Sequence, residues 1–397
     1  MKLVIFMKVL ITHARGRQAL AATRSLGRKN VEVITSDSFY PTDVFFSKYS
    51  KSYFIYPPFK TMPKQFIYTL KKYIQKKYIK VLIPTYVETY VISQYKNQFD
   101  SGVKIPIPKY SQILIANNKF SLLNFAKDID IPIPKTYTIQ NIKEVNSVAQ
   151  KLDYPVVIKL VEGSGSKGIK YIYSRDEFAV EYKETIKKFR LKSSEYPLIQ
   201  EYIQGTGYGV SMLFNQGDAR AIFTHKRLRE IPISGGPSTA RISVRHSKME
   251  KYALKLLTEL NWHGVAMVEF KLDKRTKKPV LMEINPRFWG SLNLAVCSGV
   301  DFPYLLYKMA IEGDVKTVFN YKIGVEARWF VGDVRALVDY VRDKRFEKVK
   351  DFLKFYKVYY DEFSFNDPLP AIIKLIYSIK NFVTKGELSF VPKEERQ

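Results

Sequence analysis

The stretch GVAMVEFKLDKRTKKPVLMEINP, Gly264 to Pro286, decides how this chain reads. Two apolar runs flank the polar segment DKRTKKP, the pattern of a β-hairpin. A register symmetric about Thr276 sets Glu269 directly opposite Glu283, and the two-residue period of a strand puts Asn285 on the face of Glu283. Carboxylates facing each other at about 5 Å repel unless a cation or proton compensates. Apolar residues flank both glutamates, which argues against a hydrated sheet face.

Two carboxylates and an amide make an all-oxygen set that suits Mg²⁺, a cation that takes few protein ligands and completes its shell with phosphate and water. Pro286 ends the ladder because it has no N–H to donate, and Arg287 follows with a planar fork that matches phosphate oxygens. The hairpin thus reads as a metal and phosphate seat at a strand end.

Upstream, PVVIKLVEGSGSKGIKYIYS carries Lys159 on a strand, then Gly163, Ser164, Gly165, Ser166 and Gly168 in a loop. The glycines spell G-x-G-x-x-G, but a dinucleotide loop opens a helix, whereas IKYIYS is β-branched and aromatic. No Lys-Ser or Lys-Thr pair follows Gly168, so this is not a Walker A loop, and a kinase lysine would lie after the loop. A glycine hairpin whose N–H groups approach oxygens closely fits a phosphate lid; the plain alternative is a mobile surface hairpin.

Between lid and hairpin, HKRLREIPISGGPSTARISVRH offers Arg227, Arg229 and Arg241 around Gly235 and Gly236, candidates for reading an anionic substrate. His225, His246 and His263 lack a metal-binding spacing.

Residues 7–118 alternate strand and helix signals: KVLITHA, RGRQALAATRSLGRK, VEVITSD, MPKQFIYTLKKYIQKKY and VLIPT. That is the βαβ pattern of a parallel sheet, and MKVLITHARG from Met7 opens a strand by itself. The turn THARGRQ is too poor in glycine for an NAD fingerprint, so this sheet supplies a substrate crevice or a scaffold. Residues 155–326 read as antiparallel strand pairs with interspersed helices. The remainder is helical and aromatic; its LPAIIKLIYSIKNFV segment suits docking on the protein itself better than lying on a membrane. The expected organisation is α/β plus α+β: an N-terminal parallel-sheet domain to residue 118, a two-lobed domain at 119–329 with a lid lobe near 155–202, and a C-terminal helical extension at 330–397.

The chain of 397 residues carries a net charge of +27, with 46% hydrophobic residues and one cysteine, Cys297. A single cysteine excludes an internal disulfide framework and fits a reducing, cytoplasmic setting. No run approaches the roughly 18 apolar residues of a membrane span. Residues 1–118 hold 19 Lys and Arg against 5 Asp and Glu, but no helix-turn-helix, zinc-finger or RNA-binding signature accompanies them, so nucleic acid is not expected as a partner.

In this order, strand lysine, glycine lid, acidic hinge and paired acidic strands ending E-I-N-P-R, the chain resembles the ATP-grasp superfamily. It is most similar to carbamoyl-phosphate-synthase-like carboxylate–amine ligases of the biotin carboxylase branch, and the resemblance runs from Met7 to about Gly313. It implies a pre-ATP-grasp domain before residue 119 and an ATP-grasp domain after it, with ATP and Mg²⁺ as cofactors and Mn²⁺ as an alternative. By position, Lys119 and Lys159 resemble the lysines on the ATP phosphates, and Gly163 to Gly168 the lid. Glu201 with the backbone of Tyr202 and Ile203 resembles the hinge that reads adenine. Glu269, Glu283 and Asn285 resemble the metal ligands, and Arg287 the arginine on the transferring phosphoryl group. Many relatives carry a ribose-binding Glu after the hinge, where this chain has Gly207, Tyr208 and Gly209.

The implied activity is ADP-forming activation of a small carboxylate as an acyl phosphate and its transfer to an amine, with a homodimer left open. The alternatives are phosphoryl transfer or carboxylation without amide formation, and a nonenzymatic basic module for nucleic acid or membrane surfaces.

Overall fold

The computed structural model describes residues 7–163, 168–232, 235–352 and 357–385. The first unit comprises β1 (Val9–Ile11), α1 (Arg17–Arg28), β2 (Val33–Asp37), β3 (Ser50–Ile55), α2 (Pro63–Lys77), β4 (Val81–Ile83) and α3 (Glu88–Gln94). Its four strands pair in parallel in the order β3-β2-β1-β4. β1, β2 and β4 are buried throughout, as strands covered on both faces must be, and this is why VLI, VITSD and VLI lack alternation. β3, SKSYFI, is the edge strand, largely exposed and lysine-bearing, and its pattern gave no strand signal in the sequence.

Two helices, α4 (Tyr110–Asn117) and α5 (Lys119–Asp128), lead into the lid lobe. Asn118 caps α5 by accepting the Ser121 N–H at 3.0 Å, which fixes Lys119 at the first helical position. The lobe contains β5 (Thr136–Tyr137), α6 (Val145–Ala149), β6 (Val156–Lys159), β7 (Lys170–Ile172), α7 (Arg175–Phe189) and β8 (Leu198–Glu201), in a sheet of order β5-β8-β6-β7. β6 and β7 pair antiparallel across the glycine loop, so the hairpin reading holds. Ser164, Gly165 and Ser166 lie outside the described residues.

The second lobe comprises β9 (Gly205–Asn215), β10 (Asp218–Glu230), β11 (Ser238–Val244), α8 (Ser247–Glu259), β12 (Gly264–Asp273), β13 (Pro279–Asn285), α9 (Leu292–Cys297), α10 (Phe302–Glu312) and β14 (Glu326–Arg328). The chain then forms α11 (Phe330–Arg342), β15 (Val358–Tyr360) and α12 (Leu369–Lys385). The large sheet runs β13-β12-β9-β10-β11-β14-β15. The extension, expected to be helical, therefore also adds a strand, β15, parallel to β14. Three residues, VYY, are too short for periodicity to announce them.

One core joins the first unit to the second: Val9, Ile11, Ala19, Ala22 and Leu26 pack with Phe288, Trp289, Leu292, Phe302 and Leu306. α12 docks on the first unit through Lys374, 3.2 Å from Asp43 and 3.6 Å from Glu362, with Ala371 and Ser378 buried. Leu369, Ile376, Ile379 and Val383 of the same helix stay exposed. No helix among the described residues is long and apolar enough to cross a membrane.

Candidate active site

Glu269 on β12 pairs with Glu283 on β13, the pairing expected about Thr276, and Met267 pairs with Asn285, although nearer the turn Phe270 pairs with Leu281 and Leu272 with Pro279. A bulge follows between Glu269 and Phe270, one residue past the acidic pair. Asn285 Nδ2 donates to Glu269 Oε1 at 3.0 Å and to Glu283 Oε1 at 3.3 Å, so all three side chains converge. Arg227 on β10 reaches the Glu269 carboxylate and also Glu230 at 2.9 Å. Burial pushes the Glu269 carboxyl up to about 7; Arg227 opposes that shift and Glu283 adds to it.

A half-buried carboxylate pair facing across a hairpin favours a bound cation in place of a proton, and the hard oxygen donors suit Mg²⁺. Two carboxylates and an amide are an incomplete shell, and among the described residues no cluster of three or more His, Cys, Asp or Glu forms a metal site. That incompleteness fits an ion shared with phosphate oxygens.

One cavity of about 330 Å³ brings these groups together with the basic candidates. Its volume is at the lower end for small-molecule sites, roughly 300–1,000 Å³. Lys119, Lys159, Glu269, Glu283, Asn285, Arg287, Arg227, Gly235, Gly236 and the hinge residues Glu201, Tyr202 and Ile203 all line it. Lys119 Nζ donates to the Gly163 carbonyl at 3.0 Å, tying it to the base of the lid. Gly168, at φ +72°, closes the loop in a conformation that favours glycine and lies against Leu160.

Arg287 is 8% exposed; its Nη1 donates to the Phe288 carbonyl, its guanidinium lies 4.8 Å from the Tyr86 ring centre, and its Nε has no partner. At the hinge, Glu201 Oε1 accepts the Lys135 N–H at 2.9 Å and the Tyr202 N–H goes to the Pro155 carbonyl at 3.2 Å. The Tyr202 N–H is thus engaged within the fold, which removes it as a group for reading a base.

Burial pulls the Lys159 ammonium down to about 8; Glu283 opposes the shift, and Lys271 and Lys119 add to it. A polyphosphate beside it favours the charged form. Above pH ~8, ATP binding should therefore take up a proton and weaken by up to about tenfold per pH unit. Calorimetry in two buffers of different ionisation heat measures both effects. An affinity unchanged between about pH 7 and 9.5 would show that Lys159 does not meet the phosphates.

Two sequence candidates lie elsewhere. Arg229 donates from Nε and Nη2 to Asp333 at 2.8 and 2.6 Å and stacks on Phe352, anchoring α11 to β10. Arg241 is fully buried and pairs with Asp361 next to β15. β10 is irregular between Arg227 and Arg229, and loop composition cannot reveal which arginine faces inward there.

Several lining residues carried no motif. Lys271 on β12 donates to the Ile203 carbonyl at 3.2 Å, and Tyr171 packs edge-on against Tyr202 with ring centres 5.5 Å apart. His225 lies in the wall, 3.4 Å from the Ser291 hydroxyl, its pKa held well below the ordinary range by burial and then by Arg227 and Arg241. A Cβ on Gly209 would meet His225 Cε1 at 2.4 Å, so the sheet has no room there for the ribose-binding Glu of many relatives. His246 caps α8 and His263 accepts the Gln216 N–H, so the three histidines are dispersed.

The family model for the ATP-grasp domain matches residues 116–291. The carbamoyl phosphate synthase large chain of Pyrococcus furiosus is 24% identical over 239 residues, which are 58% of this chain and 21% of that one. This chain thus spans about a fifth of that relative's length. The biotin carboxylase domain dimer of Hydrogenobacter thermophilus 2-oxoglutarate carboxylase, solved with MgADP, ADP and bicarbonate, superposes with a TM-score of 0.66 at 14% identity over 81% of this chain and 73% of that one. The L-amino acid ligase of Bacillus licheniformis gives a TM-score of 0.61 at 14% identity over 77% and 74%. The acidic hairpin and the glycine hairpin both fall within the matched segment, so residues 116–291 carry an ATP-grasp domain.

Proposed function

We propose that this protein is an ATP- and Mg²⁺-dependent ligase that activates a small carboxylate as an acyl phosphate and joins it to an amine, releasing ADP and phosphate. The observation that carries this reading is the convergence of Glu269, Glu283 and Asn285 with Lys119, Lys159 and Arg287 around one cavity. The magnesium-ADP and bicarbonate named for the biotin carboxylase domain, and the name of the Bacillus ligase, support the same class of substrates.

Glu269, Glu283 and Asn285 would hold the metal, which when bound neutralises phosphate charge and draws electron density from the γ-phosphorus. Lys119 and Lys159 hold the polyphosphate by charge-assisted hydrogen bonds. Arg287, held against Tyr86, presents its guanidinium to the carboxylate and to the phosphoryl oxygens as charge develops on them. A carboxylate oxygen bonds to the γ-phosphorus as the bond to the β–γ bridging oxygen breaks and ADP departs. The neutral amine nitrogen then attacks the acyl carbon, phosphate leaves with the acyl C–O bonding pair, and the amine loses one proton. The hairpin carrying Gly163 and Gly168 excludes water, which would hydrolyse the acyl phosphate.

A screen of small acids and amines for ADP release with ATP and magnesium tests the reading. The expected result is one acid that stimulates release only with one amine. Release with a phosphorylated or carboxylated product and no amine requirement would favour the alternative chemistry. ATP-independent binding to polyanions with a steep salt slope would favour a nonenzymatic basic module. A cytoplasmic location and a homodimer belong to the same proposal, and sedimentation velocity tests the second.

A further inference from the structure

The first sheet reaches the cavity at the place where its strand order turns. In β3-β2-β1-β4, the connections after β1 and β4 leave in opposite directions, and such a switch point opens a crevice at the carboxyl ends of the strands. Arg17 and Gln18 from the first turn of α1 and Tyr86 from the loop after β4 line the cavity there. α1 begins at Gly16 with no side-chain cap on its N–H groups, so this end of the helix favours negative charge.

The side chains around this end have unmet donors. Asp361 serves two guanidiniums at once, Arg17 Nη1 at 2.8 Å and Arg241. The neighbouring acid Glu362 lies with Asp43 beside Lys374. Arg241, fully buried, keeps Nε and Nη1 without a partner, and buried Arg287 Nε and Trp289 Nε1 are likewise unmet. Burial lowers the pKa of Arg17 and Arg241 adds to that, while Asp361 and then Glu362 oppose it. The second nitrogen of the Arg17 fork, Nη2, lies beside Gly290, where a Cβ would stand 2.9 Å away. Gly290 and Trp289 both line the cavity, so Arg17, whose guanidinium stacks on the Trp329 ring at 4.1 Å, presents Nη2 to the wall formed by the E-I-N-P-R-F-W-G segment.

We infer that the substrate carries a second anionic group, a carboxylate or a phosphate, and that Arg17 at the head of α1 binds it. This rests on reading the cavity as a ligase site, with Arg287 taking the carboxylate to be activated. Asp361 acts through Arg17 as a positioning residue: it holds Nη1 and leaves Nη2 for the ligand. The strand that ends at Tyr360 thereby contributes to specificity although it lies far along the chain from the ATP-grasp segment.

The test is calorimetric titration of succinate, 3-phosphoglycerate and propionate into the full-length protein saturated with magnesium and a nonhydrolysable ATP analogue. A charge-assisted contact from Nη2 predicts that at least one of the two dianions binds at least about tenfold tighter than propionate. Succinate and 3-phosphoglycerate separate the carboxylate source from the phosphate source. Arg17→Met should erase the preference and Arg17→Lys restore part of it. Gly290→Ala, which crowds Nη2 without removing charge, should reduce it in a protein whose circular dichroism matches the wild type. Propionate binding as tightly as both dianions, no measurable binding of either dianion, or a preference surviving in Arg17→Met overturns the inference. The ligase reading fails separately, on ADP release. Arg17-dependent dianion binding without ADP release would leave this inference standing and remove that reading.

Discussion

Glu283→Gln should lower ADP formation about a thousandfold while leaving the protein as stable as before or slightly more so. The two effects separate because the half-buried Glu283 carboxylate faces Glu269 across the hairpin. Replacing it with a neutral amide of the same shape removes a like-charge repulsion, so the fold loses nothing. The same change removes one of two charged oxygen donors for a metal that supplies several kcal/mol at the transition state, and each 1.36 kcal/mol is tenfold in rate. Thermal melts and an ADP-release assay check both halves. Undiminished turnover would remove the metal assignment, and a collapsed melting point would mean that the pair is structural.

Asp333→Ala should destabilise the protein by about 3–5 kcal/mol, because it strands buried cations. Asp333 accepts two bonds from Arg229 and one from Thr239, and Arg328 Nη1 lies 3.9 Å away. The Arg229 and Asp333 side chains are only 6% and 9% exposed, so water cannot replace the lost partner. Chemical denaturation measures the change. The double replacement Arg229→Met with Asp333→Leu should recover most of the loss, since apolar groups of similar volume substitute well for a buried pair. Equal instability of single and double variants would show that the site depends on the pair's hydrogen bonds more than on its charge.

What could be read from the sequence and what could not divide along physical lines. The shared face of Glu283 and Asn285 was legible because a strand has a period of two, but the exact pairing of Glu269 with Glu283 depends on the bulge between Glu269 and Phe270, which no pattern announced. The lid hairpin was legible because IKYIYS has no helical character. The parallel sheet was legible in its buried strands, and β3 was not, because an exposed edge strand has no apolar pattern to show. Arg227, Arg229 and Arg241 looked alike in the loop, yet one faces the cavity and two hold the C-terminal extension, an assignment made by an irregular strand and by distant Asp333 and Asp361.

The amino-acid sequence by itself determined the acidic face of the hairpin through the two-residue period of its strands, while resemblance to the ATP-grasp superfamily pointed to the architecture and to Lys119 and Lys159. Only the tertiary structure decided that Arg17, Gln18 and Tyr86 join the same cavity, and that β15 completes the large sheet. Arg17 and Asp361 meet across 344 residues of chain, and no local pattern encodes a contact made by packing one core against another.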